Sequence, residues 1–166
     1  MPPAYYAMVQ LGRLLPGATS ATLRYPSLLG YLLTLLGVYW FASKRFTSAA
    51  ALTGVLLVML SPFRQYAVEA RSYSLVVGFL ALAAASWQRV DHLRSARFLF
   101  PIFLGLAVAC HHLAVCTIAV FGVAELLWSY QSRRIRRGVW VACLLATIPF
   151  LLNLIEKSAF ALGTHG

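Results

Sequence analysis

The sequence predicts an all-α, polytopic transmembrane helical bundle, and its composition leads to this fold class. Of the 166 residues, 61% are hydrophobic and only 11% are charged, and the mean hydropathy is +0.78. A soluble globular domain is about half apolar and about one quarter charged. A chain this short cannot bury so many apolar side chains in one water-facing core. The composition therefore excludes a soluble enzyme, a disordered tail and a secreted disulfide module.

The charge balance points to the same environment. The net charge is +10, from 14 Lys and Arg against 4 Asp and Glu. In a soluble protein such an excess would suggest nucleic acid, but in a membrane protein it is typical of cytoplasmic loops. We therefore expect membrane lipids and no nucleic acid as partners, and the oligomeric state stays open. The three cysteines, Cys110, Cys116 and Cys143, lie in apolar runs and are expected to be small buried hydrophobes rather than disulfides.

Six apolar segments follow one another along the chain, each near the roughly 20 residues that a spanning helix needs. Pro26 opens the first segment, Pro62 ends the second, and Pro149 interrupts the last. We treat residues 1–166 as one membrane domain, with an outer-face segment over 1–25. The predicted spans are 26–42, 47–61, 73–89, 98–111, 113–129 and 138–155.

The apolar run 98–129 is predicted to contain two spans. As a single helix it would be about 48 Å long, at about 1.5 Å per residue. The hydrocarbon core of a bilayer is only about 30 Å thick. We therefore place a break at Cys110-His111-His112.

The basic loops predict the orientation of the bundle. The loops after the first, third and fifth spans hold nine of the fourteen Lys and Arg residues, so this side is predicted to be the cytoplasm. The tryptophans lie beside the same loops, as an interfacial aromatic belt would: Trp40, Trp87, Trp128 and Trp140. We expect a bacterial inner-membrane protein of the cell envelope, with both termini and any chemistry on the outer face.

The loop over residues 61–73 is the densest polar segment on that face. It holds Arg64, Tyr66, Glu69, Arg71 and Tyr73. Paired guanidinium groups at a membrane surface suit a phosphate, because their forks match its oxygens bidentately. Two interpretations stay open: Glu69 pairs with an arginine and holds the loop, or the loop forms a polar site for a phospholipid-like substrate.

Two further segments are candidates. Residues 4–15 are predicted to form a short amphipathic helix in the interface, and its tyrosines either anchor it or contact a sugar or isoprenoid. His111 and His112 point about 100° apart on a helix, and no metal-binding spacing accompanies them, so no metal site is expected. His111 then either makes an interfacial hydrogen bond or contacts substrate. Glu125 is the one acidic residue drawn into a span, which argues against an ion-coupled transporter.

Several segments, in order along the chain, resemble the membrane-embedded GT-C glycosyltransferases, in the branch of the protein O-mannosyltransferases and the lipid A aminoarabinose transferases. The resemblance covers nearly the whole chain. His111 matches the histidine of the family's Thr-His-Tyr tip. The matching elements are Met1-Pro2-Pro3-Ala4-Tyr5-Tyr6 for His-Pro-Pro-Leu-Tyr-Tyr, Arg24-Tyr25-Pro26-Ser27 for R-x-P-S, and Ser61-Pro62-Phe63, Tyr66, Glu69-Ala70-Arg71 and Tyr73 for SPF…Y…EAR-x-Y.

The resemblance implies transfer of a sugar from a polyprenyl-phosphate carrier to an acceptor on the outer face, by a longer enzyme. It implies a catalytic Asp upstream of Met1, so the catalytic residue is unknown in this chain, and whether the chain is an enzyme by itself stays open. Arg64 and Arg71 are expected to bind the phosphate, and His111 and Tyr6 to line the sugar or acceptor pocket. The full set of expected substrate-binding residues is Arg71, Glu69, Arg64, Tyr66, His111, Tyr6 and Arg24.

Two alternatives remain beside this function. The chain could be a non-catalytic truncated membrane module that binds lipid phosphate, or, as the least favoured interpretation, a small transporter or flippase. No cofactor is expected, although a divalent metal stays open for the full-length enzyme.

Overall fold

The regular structure of the protein is helical throughout its described part, which confirms the all-α prediction. The computed structural model describes the backbone of residues 3–13, 24–69 and 72–163, and the side chains within 5–11, 24–69 and 72–155. Two short 3-10 helices, Pro62–Ala67 and His112–Val115, connect longer elements. The α-helices are α1 (Pro3–Arg13), α2 (Tyr25–Ala42), α3 (Ser48–Leu60), α4 (Tyr73–Trp87), α5 (Arg94–Cys110), α6 (Cys116–Ser132), α7 (Arg137–Leu145) and α8 (Ile148–Gly163).

Within the described residues, three helical stretches are long and apolar enough to cross a membrane, by length and composition. They are Tyr25–Ala42, His112–Ser132 and Arg137–Ile155. Helices α3 and α4 are apolar but shorter. The structure therefore agrees with a membrane helical bundle, while the crossing of the bilayer by each of the six segments stays a prediction.

The long apolar run does not form one helix. Helix α5 ends at Cys110, and His111 takes an extended conformation before the next 3-10 helix begins. The last apolar segment is also divided, because α7 ends at Leu145 and α8 starts at Ile148. Pro149 is the second residue of α8, where the missing N–H of proline costs no helical hydrogen bond.

Helices α2 and α4 approach each other backbone to backbone. A Cβ atom on Gly30 would lie 2.3 Å from the backbone nitrogen of Leu75, and one on Gly78 would lie 2.5 Å from the carbonyl oxygen of Gly30. Small residues allow this approach in membranes, where close packing replaces hydrophobic burial as the force between helices. Thr34, also buried here, donates its hydroxyl hydrogen to the Gly30 carbonyl oxygen at 2.9 Å, so the interface buries no unpaired hydroxyl at this position.

The apolar core lies along α4 and α5. One cluster of buried side chains joins these helices to α7, with Phe100 and Leu104 at its centre. A second cluster lies nearer the start of α4, around Leu75 and Phe79, and Tyr5 and Met8 of α1 pack against it. The first helix is thereby attached to the bundle near the ends of α4 and α5.

The outer helices present apolar side chains on their surfaces. Ala51 is the one buried residue of α3, whereas Leu57 is 64% exposed and Leu60 is 77% exposed. Exposed apolar side chains also cover α2, α6 and α8, whereas soluble monomers rarely expose large contiguous apolar patches. This apolar surface suits contact with lipid, as expected for a membrane protein.

The cysteine prediction is partly wrong. Cys110 and Cys143 are buried as expected, but Cys116, the first residue of α6, is exposed. Its helix buries only Glu125, so most of this apolar segment faces outward rather than into a protein core. All three cysteines are free.

We predict that Gly30→Ala destabilises the bundle, because the added methyl group would overlap the backbone of α4. Gly54→Ala in α3 is the matched control, since its Cβ would meet only Val38 at 3.8 Å. Apparent melting temperature in detergent measures the difference. Glycine to alanine normally favours a helix by about 0.5–1 kcal/mol, so equal melting temperatures for both variants would contradict the close contact.

Candidate functional site

Aromatic rings from four segments form a continuous chain at one end of the bundle. Tyr31 of α2 stacks on Phe63 with centroids 6.0 Å apart, and Phe63 lies 5.6 Å from Tyr66. Tyr66 meets Tyr73, at the start of α4, at 6.1 Å, and Tyr73 meets His111 at 5.6 Å. His112 stacks on His111 at 5.0 Å. We call these six residues the aromatic chain; it connects the 61–73 loop to the histidine tip.

The 3-10 helix Pro62–Ala67 places two of these rings. Ser61 begins it, since the Ser61 Oγ accepts a hydrogen bond from the Phe63 N–H at 3.2 Å. The same hydroxyl donates to the Val58 carbonyl oxygen at 2.7 Å. In a 3-10 helix residues three apart lie on one side, so Phe63 and Tyr66 face the same way. A capping serine followed by proline thus orients the aromatic side chains of the loop.

His111 is held by the backbone that follows it. Its Nδ1 accepts a hydrogen bond from the Leu113 N–H at 3.3 Å, which assigns the proton of the neutral ring to Nε2. In this neutral form the ring offers one N–H donor. Among the described residues no group of three His, Cys, Asp or Glu side chains could hold a metal ion.

A side-chain interaction brings the two N-terminal motifs together. The Tyr5 side chain in α1 interacts with the side chain of Ser27 in α2, and Ser27 is fully buried. Ser27 lies one helical turn before Tyr31, so this interaction connects α1 to the helix that carries the first ring of the aromatic chain.

The structure brings together some of the predicted site residues. Tyr66, 39% exposed, and His111, partly buried, both belong to the aromatic chain. Glu69 follows the 3-10 helix and is partly buried, and its backbone N–H donates to the Gln65 carbonyl oxygen at 3.2 Å. Arg64 is exposed on the same helix. Three of these predicted residues therefore lie in the 61–73 loop, and His111 lies in the adjacent connection between α5 and α6.

The remaining predicted residues are less closely connected. Tyr6 is 45% exposed on α1, and Arg24 is exposed directly before α2. They lie on the two elements that Tyr5 and Ser27 join. Arg71 lies outside the described residues.

Sequence reasoning does not find every member of the aromatic chain. Phe63 and Tyr73 stand in the matched motif but are not among the predicted site residues, and neither is Tyr31. Tyr31 lies four residues after Ser27, and residues at this spacing share a helix face, so the spacing is the sequence signal that indicates Tyr31. Tyr6 is predicted to line the pocket, whereas Tyr5 is the tyrosine that interacts with the buried Ser27.

A second polar cluster lies at the opposite end of the bundle and was not predicted. Glu125 is fully buried, and Arg136 donates to both of its carboxylate oxygens, with 2.9 Å from Nε to Oε1. Arg136 also donates to Asp91 Oδ2 at 3.1 Å, while Trp87 Nε1 donates to Glu125 Oε2 at 2.9 Å. The Arg136 guanidinium lies 3.8 Å from the ring centroid of Trp128. We call this the Arg136 cluster.

The three basic loops meet at the end that holds the Arg136 cluster. Arg136 and Asp91 connect the loops that follow α6 and α4. Arg89 reaches the end of α2, where it hydrogen bonds to the Trp40 carbonyl oxygen and lies 4.9 Å over the Trp40 ring. The bundle therefore has one basic, tryptophan-rich end and one aromatic end.

These features define a helical membrane protein in which four of the predicted site residues, Arg64, Tyr66, Glu69 and His111, lie at one end. Residues 1–155 match the dolichyl-phosphate-mannose-protein mannosyltransferase family. The chain therefore belongs to this family, a GT-C type of membrane glycosyltransferase, which confirms the resemblance. No curated protein and no solved structure matched the chain in the corresponding comparisons.

We predict that Arg136→Ala strongly destabilises the protein, because it leaves the buried Glu125 carboxylate without its counterion. Breaking a buried ion pair from one side costs about 3–5 kcal/mol. Arg137→Ala removes the same charge from an exposed neighbour and is the control. Thermal unfolding in detergent compares them, and the double variant Glu125→Gln/Arg136→Met should recover much of the loss. Similar melting temperatures for Arg136→Ala and Arg137→Ala would show that the pair does not support the fold.

Proposed function

We propose that this chain binds a polyprenyl-phosphate-linked sugar at its aromatic end and contributes that site to glycosyl transfer by a longer enzyme. The observation that carries the proposal is the aromatic chain, which joins the 61–73 loop to His111 through ring contacts. Family membership supplies the class of reaction, the transfer of a glycosyl group at a membrane. The donor, the acceptor and the side of the membrane are the proposed parts.

The phosphate of the donor is assigned to the arginines of this end. Arg64 is exposed on the 3-10 helix and Arg24 is exposed at the start of α2, and Arg71 follows Glu69 closely in sequence. Guanidinium groups bind phosphate oxygens in pairs of parallel hydrogen bonds. In the reaction they would stabilise the charge that develops on the leaving lipid phosphate.

The sugar is assigned to the rings. Tyrosine and histidine side chains combine an apolar face with a polar edge, and binding sites typically combine aromatic walls with a few polar groups. Tyr66, Tyr73 and His111 supply such a surface, and Tyr6 lies on the helix attached beside it. The neutral His111 ring would donate from Nε2 to a sugar or acceptor oxygen.

The acceptor is proposed to approach from the outer face of a bacterial inner membrane, with the basic end in the cytoplasm. Lys and Arg enrichment on the cytoplasmic side supports this orientation. Proton removal from an acceptor hydroxyl needs a general base. The family resemblance assigns that role to an Asp upstream of Met1 rather than to Glu69, and we propose that Glu69 holds the loop.

A second candidate is a module that binds lipid phosphate without turnover. Glu69 is the one carboxylate among the described side chains of the aromatic end, and it is partly buried. The arginines of this end would bind a lipid phosphate, and no described residue here is assigned as the general base that turnover needs. A transporter is less favoured, since Glu125, the buried carboxylate of the described helices, is bound by Arg136.

We predict that Arg71→Ala weakens binding of a polyprenyl-phosphate sugar by about tenfold or more, as loss of a charge-assisted hydrogen bond would. Arg71→Lys should also bind weakly if the contact is bidentate. Arg94→Ala removes an exposed charge from the basic end and serves as the control. Donor binding and turnover are measured with the full-length protein in liposomes. Unchanged affinity in Arg71→Ala would remove Arg71 from the site, and binding without turnover would favour the second candidate.

We predict that Tyr73→Leu lowers donor affinity by about two- to tenfold, the range expected from losing aromatic contacts on both sides of the ring. Tyr73→Phe should retain more affinity because it keeps the ring. Tyr130→Leu is the control, since Tyr130 is 86% exposed near the basic end. Titration with the polyprenyl-phosphate sugar in the same liposomes compares the three variants. Equal affinities would separate the aromatic chain from the donor.

A further inference from the structure

A polar cleft opens beside the Arg136 cluster at the basic end. It has a volume of about 760 Å³ and lies between the loop after α2, the loop after α4 and the end of α6. Its walls combine three guanidinium groups, two indoles, an imidazole, uncharged polar side chains and the Asp91 carboxylate, which Arg136 binds. The wall residues that matter here are Arg45, Gln88, Trp128, Ser132, Arg134 and Arg136.

Two of the three guanidinium groups retain uncompensated charge. Arg136 is paired with both Glu125 and Asp91, and the Asp91 side chain, which also lines the cleft, is 45% exposed. Arg45 and Arg134 are exposed, and neither has a carboxylate partner within the part of the chain that the structure describes. The cleft therefore presents two unpaired cations on a wall that the Arg136 cluster holds in place.

Two buried polar atoms on the same wall lack a protein partner. The Oε1 atom of Gln88 and the Oγ atom of Ser132 are buried, and the described residues supply no hydrogen bond to either. Buried polar atoms are nearly always hydrogen bonded. A serine hydroxyl can donate to an anionic oxygen, and a glutamine amide can donate or accept according to its orientation. Rotation of either side chain would turn its polar atom toward the cleft, where a ligand with anionic oxygens and hydroxyl groups would supply the missing hydrogen bond.

The surroundings place the cleft at the depth of lipid headgroups. Trp128 lines it, and interfacial tryptophans lie at that level. Ile135, on its rim, is 72% exposed, which suits contact with acyl chains rather than water. Basic pockets between membrane helices on the cytoplasmic side bind anionic lipid headgroups.

We propose that this cleft binds the phosphate of an anionic phospholipid, with Arg45 and Arg134 as the charged ligands and Ser132 and Gln88 as hydrogen-bonding ligands. The site is at the opposite end of the bundle from the proposed donor site and does not rest on the proposed function. The shared chemistry is a phosphate anion, and a soluble phosphate is the alternative source.

The test compares the full chain in nanodiscs of phosphatidylcholine with nanodiscs that also contain phosphatidylglycerol. Native mass spectrometry counts retained phosphatidylglycerol, and melting temperature reports stabilisation. Arg45→Gln/Arg134→Gln removes the two charges of the cleft. Lys44→Gln/Arg94→Gln removes two exposed charges from the same end outside the cleft and is the matched control.

We expect the cleft variant to bind phosphatidylglycerol about tenfold more weakly than the control variant, the effect of losing a charge-assisted hydrogen bond. Ser132→Ala should reduce the stabilisation by phosphatidylglycerol without lowering stability in phosphatidylcholine, because it removes a hydroxyl that has no protein partner. Equal losses in the two double variants would overturn the proposal, since general surface charge would then explain the binding. Stabilisation by inorganic phosphate alone, lost in the cleft variant, would overturn the lipid as the ligand and assign the site to a soluble phosphate.

Discussion

The direct backbone contact between α2 and α4 is the constraint on which both ends of the protein depend. Gly30 and Gly78 face each other with no room for a Cβ atom, so the axes of the two helices are fixed at close range. At one end this sets Gly30, the neighbour of Tyr31, against Ser74 and Leu75, which directly follow Tyr73. At the other end it brings the C-terminus of α2 to Arg89, which binds the Trp40 carbonyl oxygen. A looser pairing would separate both groups of residues.

The two ends use aromatic residues for different physical purposes. At the aromatic end, tyrosine, phenylalanine and histidine rings contact one another and leave Tyr66 and Tyr73 partly exposed. At the basic end, tryptophans contact guanidinium groups and carboxylates, which stabilises charges close to lipid. Exposed tyrosine hydroxyl groups can form hydrogen bonds with a substrate, whereas a fully hydrogen-bonded ion-pair network rigidifies the structure around it. The aromatic end therefore suits the proposed donor site, and the Arg136 cluster suits a rigid wall for the proposed phospholipid cleft.

Composition and hydropathy predicted the helical membrane fold and the helix break near His111, because each depends on local sequence. Contacts between distant segments were beyond such reasoning. Nothing local to Arg136 shows that it reaches Glu125 and Asp91 on other elements. In the sequence, the basic loops and the tryptophans are two separate indications of orientation. The structure shows that some of them lie together because they are in direct contact, as Arg89 and Trp40 are. The partner of Ser27, likewise, depends on how α1 docks.

The central claim is that a polyprenyl-phosphate donor binds at the aromatic end. Photocrosslinking of the full-length protein in liposomes tests it most directly, using a polyprenyl-phosphate analogue with a photoreactive group next to its phosphate. Mass spectrometry of the adducts then locates the phosphate. The account predicts adducts within residues 61–73 and around His111. Adducts confined to the basic end, near Arg45 or Arg134, would contradict it.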